Sequence, residues 1–490
     1  MRRSPLAVCA AALLLLAMPL SACNKSSEQP DSTDTSEVYT IPPVTIPTEP
    51  DDRTPTDLSK YITDLNNLFA VASTAPAEDF TYELIGEGIP GESFQGTVTI
   101  TGYTGGETVV VIPDTIEGAP VTAIGKDAFV DKTTIKGLSI PDTVTTIGKG
   151  AFKGCKNMTS MKTPVFTCEG APYFGALFGA ETFEANGYSV PTGLSMLVLT
   201  RSESIPASAF YACRNLKVVG LPETLTEIGD FAFYGCQSLA YITTGKTTLK
   251  TVGRNAFTNC EKLLTLDIPA TAETLGIAML EGCRSLESLT LPFVGGNRVG
   301  YTSPTSGEDA VDPAETTYLG YIFGASDYTF TQGYLPASLM TVALHEGCGD
   351  IPANAFFECD VLREITLPAG VATIGRRAFY GCESLAHMTL PDTVTSIGDD
   401  AFHGCLRLAS FAGGTGLTTL GIQTFMDCVS LTTVTLPDGV THLPNAAFAG
   451  CISLKSLTAD GVQTQGKQVF RHCDLLIGSK WVHATCVPAN

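Results

Sequence analysis

Apolar positions recur along this chain with a step of 23 residues. One unit reads Leu-x-x-Ile-x-Leu-Pro, then Val-x-x-Ile-Gly, then Ala-Phe-x-Gly-Cys. Leu362, Ile365 and Leu367 fill the first part, Val371, Ile374 and Gly375 the second, and Ala378, Phe379 and Cys382 the third. Leu390 to Cys405 repeats the pattern with few changes. The Phe position reads Phe129, Phe152, Phe210, Phe233, Phe257, Leu280, Phe356, Phe379, Phe402, Phe425, Phe448 and Phe470. Two steps are long, 58 residues from Phe152 to Phe210 and 76 from Leu280 to Phe356. A cysteine lies three residues later in every unit from Cys155 to Cys473; the first unit has Lys132 there.

The period dictates the architecture. Ile365-x-Leu367 alternates with period two, as a short strand does, and Pro368 ends it. Gly375 allows a turn, and Ala378-Phe379 plugs the interior of the coil. One unit buries nothing alone, whereas stacked units share a continuous core. The expectation is a solenoid of mostly β coils carrying one parallel sheet, with about fourteen coils at strand spacing.

The long steps, near 164–200 and 292–350, match each other. Tyr173–Ala180 answers to Tyr318–Ala325, Gly187-Tyr188 to Gly333-Tyr334, and Leu194–Leu199 to Leu339–Leu344. Each is read as a variant coil with its own strand and an extra packed segment. Gly295–Glu315, rich in Gly, Ser, Thr and acids, is expected to be an exposed mobile loop. Upstream, Leu58, Ile62, Leu65 and Phe69 have helical spacing, which predicts a short helix and linker over 57–78, either a plain connector or a docked element.

Units of this form resemble the BspA-like class of leucine-rich repeats, over about Val109 to Leu476. The resemblance implies a leucine-rich-repeat solenoid over 109–476, a β-rich N-terminal cap over 79–108 that includes Gly96–Tyr103, and a C-terminal cap over 477–490. It also implies a surface protein of the kind associated with adhesion. A solenoid is a scaffold, so the ligand is left open.

The first residues add a location. Arg2 and Arg3 precede an apolar run from Leu6 to Leu20, too short to span a bilayer as an ordinary helix. Leu20-Ser21-Ala22-Cys23 resembles a bacterial lipobox, which implies a signal peptide over 1–22, lipidation of Cys23 and the extracellular face of a bacterial envelope. From 23 to 56 Ser, Thr, Pro and acids leave little to bury, so this stretch reads as a disordered stalk. The chain carries 50 acids against 29 Lys plus Arg, net −21, and becomes more negative once Arg2 and Arg3 leave. That charge disfavours nucleic acid and anionic membrane surfaces; contact with the membrane is expected through the anchor only.

Candidate chemistry is sparse. The cysteines share one inward place per coil and read as a column of reduced core thiols; Cys168, Cys348 and Cys486 break the register and are better candidates for bridges. Ala240–Thr247 loosely matches a phosphate loop, yet Leu239 and Ile242 are core positions and no helix is expected to follow. The six histidines have no metal-ligand spacing. No cofactor or metal is expected. Trp481 is read as closing the end of the solenoid.

The outward strand positions include Ser139, Thr243, Thr265, Asp267, Ser288, Thr290, Thr341, Glu364, Thr366, Thr389, Thr433, Thr435, Ser456 and Thr458, a small, hydroxylic face. Three function classes follow. The favoured one is a binding protein for an extracellular protein or glycan, host or bacterial, without catalysis. Its discriminating contacts are expected in the unmatched loop, at Tyr301, Glu308, Asp309 and Asp312. A structural spacer of the envelope is the alternative, and a hydrolase built on the insertions has the least support.

Overall fold

The Ile of each Ile-x-Leu triplet is the middle residue of a short strand and points inward. Glu364–Thr366, for example, runs exposed, buried, exposed. Residues 23 apart pair in parallel register, so Ser410, Phe411 and Ala412 lie against Thr433, Val434 and Thr435. The computed structural model describes residues 59–86, 96–297 and 316–476. Among them this front column runs from Val109–Val111 to Ser456–Thr458 in paired sets of 6, 4 and 4 strands. The ladder lapses twice, between Tyr241–Ile242 and Thr265–Asp267 and between Glu364–Thr366 and His387–Thr389. A second column of two-residue strands follows the Val-x-x-Ile segment, as where Thr373–Ile374 pairs with Ser396–Ile397.

The Ala-Phe-x-Gly-Cys turns form the third side. Phe379 donates its N–H to Ala401 O (2.8 Å) of the next coil, which holds successive turns in step. Their rings stack nearly parallel, Phe379 on Phe402 at 4.9 Å and Phe402 on Phe425 at 5.5 Å. The two glycines of the repeat serve different ends. Gly404 sits at φ 72°, a left-handed turn that only glycine enters without penalty. A side chain on Gly375 would run into the backbone of Pro352 and Ala353 in the coil before, so this glycine permits close approach of the coils.

The cysteine column has a physical reason of its own. Cys236 donates its thiol proton to Phe210 O at 3.2 Å, and Cys382 to Phe356 O, Cys405 to Phe379 O and Cys451 to Phe425 O do the same within 3.1–3.2 Å. Each thiol is thus a small apolar filler that also gives a weak hydrogen bond to a buried carbonyl. All the described cysteines are free and buried. This includes Cys168 and Cys348, expected as bridge candidates: each is folded into the core of its own variant coil. Cys486 lies outside the described residues.

The variant coils add whole turns to the stack. The strand Met196–Leu199 enters the front column between Ser160–Thr163 and Val218–Gly220, and Thr341–Leu344 enters between Ser288–Leu291 and Glu364–Thr366. The 3-10 helix Phe174–Phe178 replaces the usual turn: Phe152 donates to Leu177 O (2.9 Å) and Phe174 to Ala209 O (2.8 Å). Two expectations need correction here. The short helices Asn186–Ser189 and Thr331–Tyr334 occupy matching places, so Gly187-Tyr188 answers to Gln332-Gly333 and not to Gly333-Tyr334. The buried side chains Asn186 and Thr331 set that register. Gly295 and Gly296 are buried instead of belonging to an exposed loop, because Gly296 accepts from Leu275 N and donates to Thr316 O, both at 2.8 Å.

At the N-terminal end, β1 (Phe80–Ile85) and β2 (Thr97–Tyr103) form an antiparallel hairpin, and β2 pairs in parallel with Ala119–Ile124 to start the second column. The hairpin closes the first coil, with Tyr103 stacked on Phe129 at 5.3 Å. The expected signal peptide 1–22, Cys23, the stalk 23–56, the C-terminal cap 477–490 with Trp481, and the loop residues Tyr301, Glu308, Asp309 and Asp312 lie outside the described residues. Among the described residues no helix is long and apolar enough to cross a membrane.

Candidate functional site

Helix α1 (Ser59–Val71) divides the outward face of the front sheet. It buries Tyr61, Leu65, Leu68 and Phe69 against Met196, Val198, Val218 and Ala240, with Val109, Val111 and Tyr241 at the edge. Small residues make room for it. Phe69 packs over Gly137, and a Cβ on Gly220 would meet Ile62 Cδ1 at 3.1 Å. The helix therefore runs against the stacking direction, and its first turn points toward Tyr241–Ile242. Ser139, expected on the exposed face, is buried because it lies on the strands under this helix. The docked alternative for the 57–78 segment is the one realised. A sequence signal for it existed: most outward positions of the first strands are apolar or small, Lys162 excepted, whereas those of the later strands are polar and mainly hydroxylic.

Past the helix the face is open. Glu364, Thr366, Thr389, Thr433, Thr435, Ser456 and Thr458 are exposed, while Thr265, Ser288, Thr290 and Thr341 are half-buried. Their backbone is held by ladder bonds on both sides through most of the column, so the hydroxyls are presented on a rigid surface.

The first lapse in the ladder opens a groove of about 200 Å³ at the boundary between covered and open face. The sequence departs from the repeat here: where many coils have an apolar residue and Pro, this coil has Thr244-Gly245. Thr243 turns back, its Oγ1 accepting from Leu221 N at 2.7 Å. Thr244 is buried, with its Oγ1 donating to Asp267 O. The segment earlier compared with a phosphate loop thus becomes a groove wall, and no helix follows it. The strand backbone at Ile242 and Leu266, whose side chains point into the core, forms the base; Tyr241, Lys246, Thr265, Asp267, Ser288 and Thr290 line the sides. Asp267 Oδ1 is 2.8 Å from His345 Nε2, which reaches back from the second variant coil. Asp267 Oδ2 lies over Gly245, where any side chain would collide with it. The sequence had placed Thr243, Thr265, Asp267, Ser288 and Thr290 on the face. It had not joined them to Tyr241, Lys246 and His345, which belong to the groove and to its orienting contact.

The variant coils also carry aromatics in duplicate. Phe183 meets Tyr211 edge-on at 5.3 Å and Tyr211 stacks on Tyr234 at 5.0 Å; Tyr328, Phe357 and Tyr380 repeat this at 5.1 and 5.0 Å. These rings pack on each other and serve the joint between variant and regular coils. Tyr188, Phe330 and Tyr334 remain exposed.

The described thiols are enclosed in the core. Burial pushes Cys155 and Cys168 up to about 11 and Cys283 and Cys473 up to about 12, and raises Cys213, Cys260, Cys359, Cys405 and Cys451 well above the ordinary thiol value. A protonated, enclosed thiol neither attacks nor binds metal. Among the described residues no cluster of three or more His, Cys, Asp or Glu is arranged to hold a metal ion.

The family model for the BspA type leucine rich repeat region matches in six copies, over residues 121–170, 194–297 and 349–477. The unmatched stretches between them fall largely on the two variant coils. No curated protein matches at a significant level. Among solved structures, a leucine rich cell surface protein from Faecalibacterium prausnitzii is 23% identical and covers 80% of this chain and 96% of its own, with a TM-score of 0.31. A leucine-rich repeat protein from Bacteroides ovatus is 20% identical, covering 82% and 93%, with a TM-score of 0.28. The pneumococcal vaccine antigen PcpA is 19% identical, covering 81% and 88%, with a TM-score of 0.24. The family model spans more than half of the sequence, and the strands and turns of the matched units stand where the repeat requires them: the chain belongs to the BspA-type leucine-rich-repeat family.

Proposed function

We propose that this protein is a lipid-anchored binding protein of the bacterial cell surface, with an extracellular protein or glycan, host or bacterial, as its partner. The observation that supports binding is the division of the front sheet, in which α1 covers the first strands and leaves a rigid hydroxyl-bearing face open on the later ones. Such a face can hydrogen-bond a partner without ordering any backbone of its own. Catalysis is no part of this reading, and the net charge of −21 argues against nucleic acid.

Capture of host matrix proteins, glycans and bacterial surfaces by the full chain tests the proposal. A Thr389→Lys, Thr435→Lys double variant, folded as judged by circular dichroism, is expected to lose about tenfold or more of that capture. Capture by neither protein would leave the spacer reading in its place. The loop with Tyr301, Glu308, Asp309 and Asp312 is proposed to add selectivity. Deleting Asn297–Ala314 should leave the melting temperature nearly unchanged and weaken capture; equal capture by the deletion would remove the loop from the site. For the anchor, Cys23→Ala should release the protein to the medium or block its processing, since acyl chains on Cys23 are the proposed hold. Retention of Cys23→Ala in carbonate-washed membranes at the level of the native protein would contradict lipidation.

A further inference from the structure

We infer that the groove between Tyr241–Ile242 and Thr265–Asp267 is a saccharide-binding subsite sized for one sugar unit. The inference rests on the proposed binding function and names a ligand class for one part of that surface. A sugar ring presents an apolar C–H face and a rim of hydroxyls, each a donor and an acceptor at once. The groove answers both. Tyr241 contributes a ring for the apolar face, the strand backbone at Ile242 and Leu266 forms the base, and Thr265, Ser288 and Thr290 place hydroxyls at the sides. Asp267 supplies a carboxylate that is held in place by His345 at 2.8 Å and can accept from sugar hydroxyls; Lys246 supplies a donor.

Charge and size narrow the choice. One ammonium and one carboxylate balance within the lining, which gives no preference for a phosphate or a strongly charged ligand. A volume of about 200 Å³ falls below the ~300–1,000 Å³ of sites for drug-sized molecules. A peptide bound as an added strand would need two strand spacings, about 9.6 Å, between the flanking strands. Thr265–Asp267 is already paired with Ser288–Leu291 on its far side, and Leu264 N still reaches Ala240 O at 3.3 Å across the lapse. No strand fits between them. The groove opens onto the hydroxyl face, so a longer glycan can continue along the column beyond the bound unit.

Saturation-transfer NMR on the full chain, with the methyl glycosides of glucose, galactose, mannose, fucose and N-acetylglucosamine and with blocked tripeptides as probes, tests this. At least one glycoside is expected to receive saturation, with affinity falling about tenfold in Asp267→Asn and in Thr290→Val. Ser396→Ala, on the second column of strands and outside the binding face, should behave as the native protein. Overturning results are no transfer to any glycoside, transfer indifferent to both groove variants, or transfer to the tripeptides alone. A silent groove with surface capture intact would reject this inference and leave the proposed function standing; loss of capture in the Thr389→Lys, Thr435→Lys variant with glycoside transfer retained would separate the two the other way.

Discussion

Raising the pH from 8 to about 10.5 is expected to unfold the solenoid cooperatively, well before the backbone itself is affected. The cause is the thiol column. A thiol in the unfolded chain ionises near 8.5–9, whereas burial holds Cys155 and Cys168 at about 11, Cys283 and Cys473 at about 12, and raises Cys213 and Cys260 well above the ordinary thiol value. The sign follows from which state keeps its protons. Below about pH 8.5 both states are protonated and the contribution is complete. Above it the unfolded chain releases protons that the folded chain retains, so each thiol withdraws up to about 1.4 kcal/mol per pH unit until its folded value is reached. Several thiols acting together exceed the ~5–15 kcal/mol that stabilises an ordinary domain within roughly one to two units. Circular dichroism across a pH series, with a thiol-alkylating reagent added, checks this: alkylation should be blocked at pH 8 and should follow the loss of strand signal. A native spectrum at pH 11, or free alkylation at pH 8 with the fold intact, would disprove the enclosed column.

Phe402→Ala is expected to cost about 3–5 kcal/mol and to split the unfolding transition. Phe402 is fully buried, stacked between Phe379 and Phe425, and touched edge-on by Phe411 at 5.6 Å. Alanine leaves a void that the flanking rings cannot fill, since each is fixed by its own coil. In a solenoid every coil is held only by its neighbours, so the defect weakens two interfaces and the coils beyond Phe402 should open first. Phe402→Leu is the control. Leu280 occupies the same place in its own coil and is fully buried there, so leucine is a tolerated filler. Hydrogen exchange resolved by segment should show residues after 402 losing protection in the alanine variant and nearly unchanged in the leucine variant. Uniform loss of protection along the whole chain would contradict nearest-neighbour stabilisation.

The sequence by itself determined the coil. Phe379, Cys382, Ile365 and Gly375 recur at one spacing because each meets its counterpart in the next coil at that spacing; a local contact rule written many times over is readable without coordinates. The inward direction of the thiols followed from the same rule. What the tertiary structure alone decided are contacts with no fixed separation in the chain. Helix α1 carries apolar residues that announce a partner, but Phe69 over Gly137 and Ile62 over Gly220 bring together positions whose separation no repeat prescribes. The groove is of the same kind. Thr243–Lys246 departs visibly from Leu-Pro, yet that departure states only that the coil differs. It does not show that Thr243 turns back to Leu221 or that Asp267 is held by His345, 78 residues away. Periodicity encodes neighbours; the exposed face, its cover and its groove come from where the exceptions meet in space.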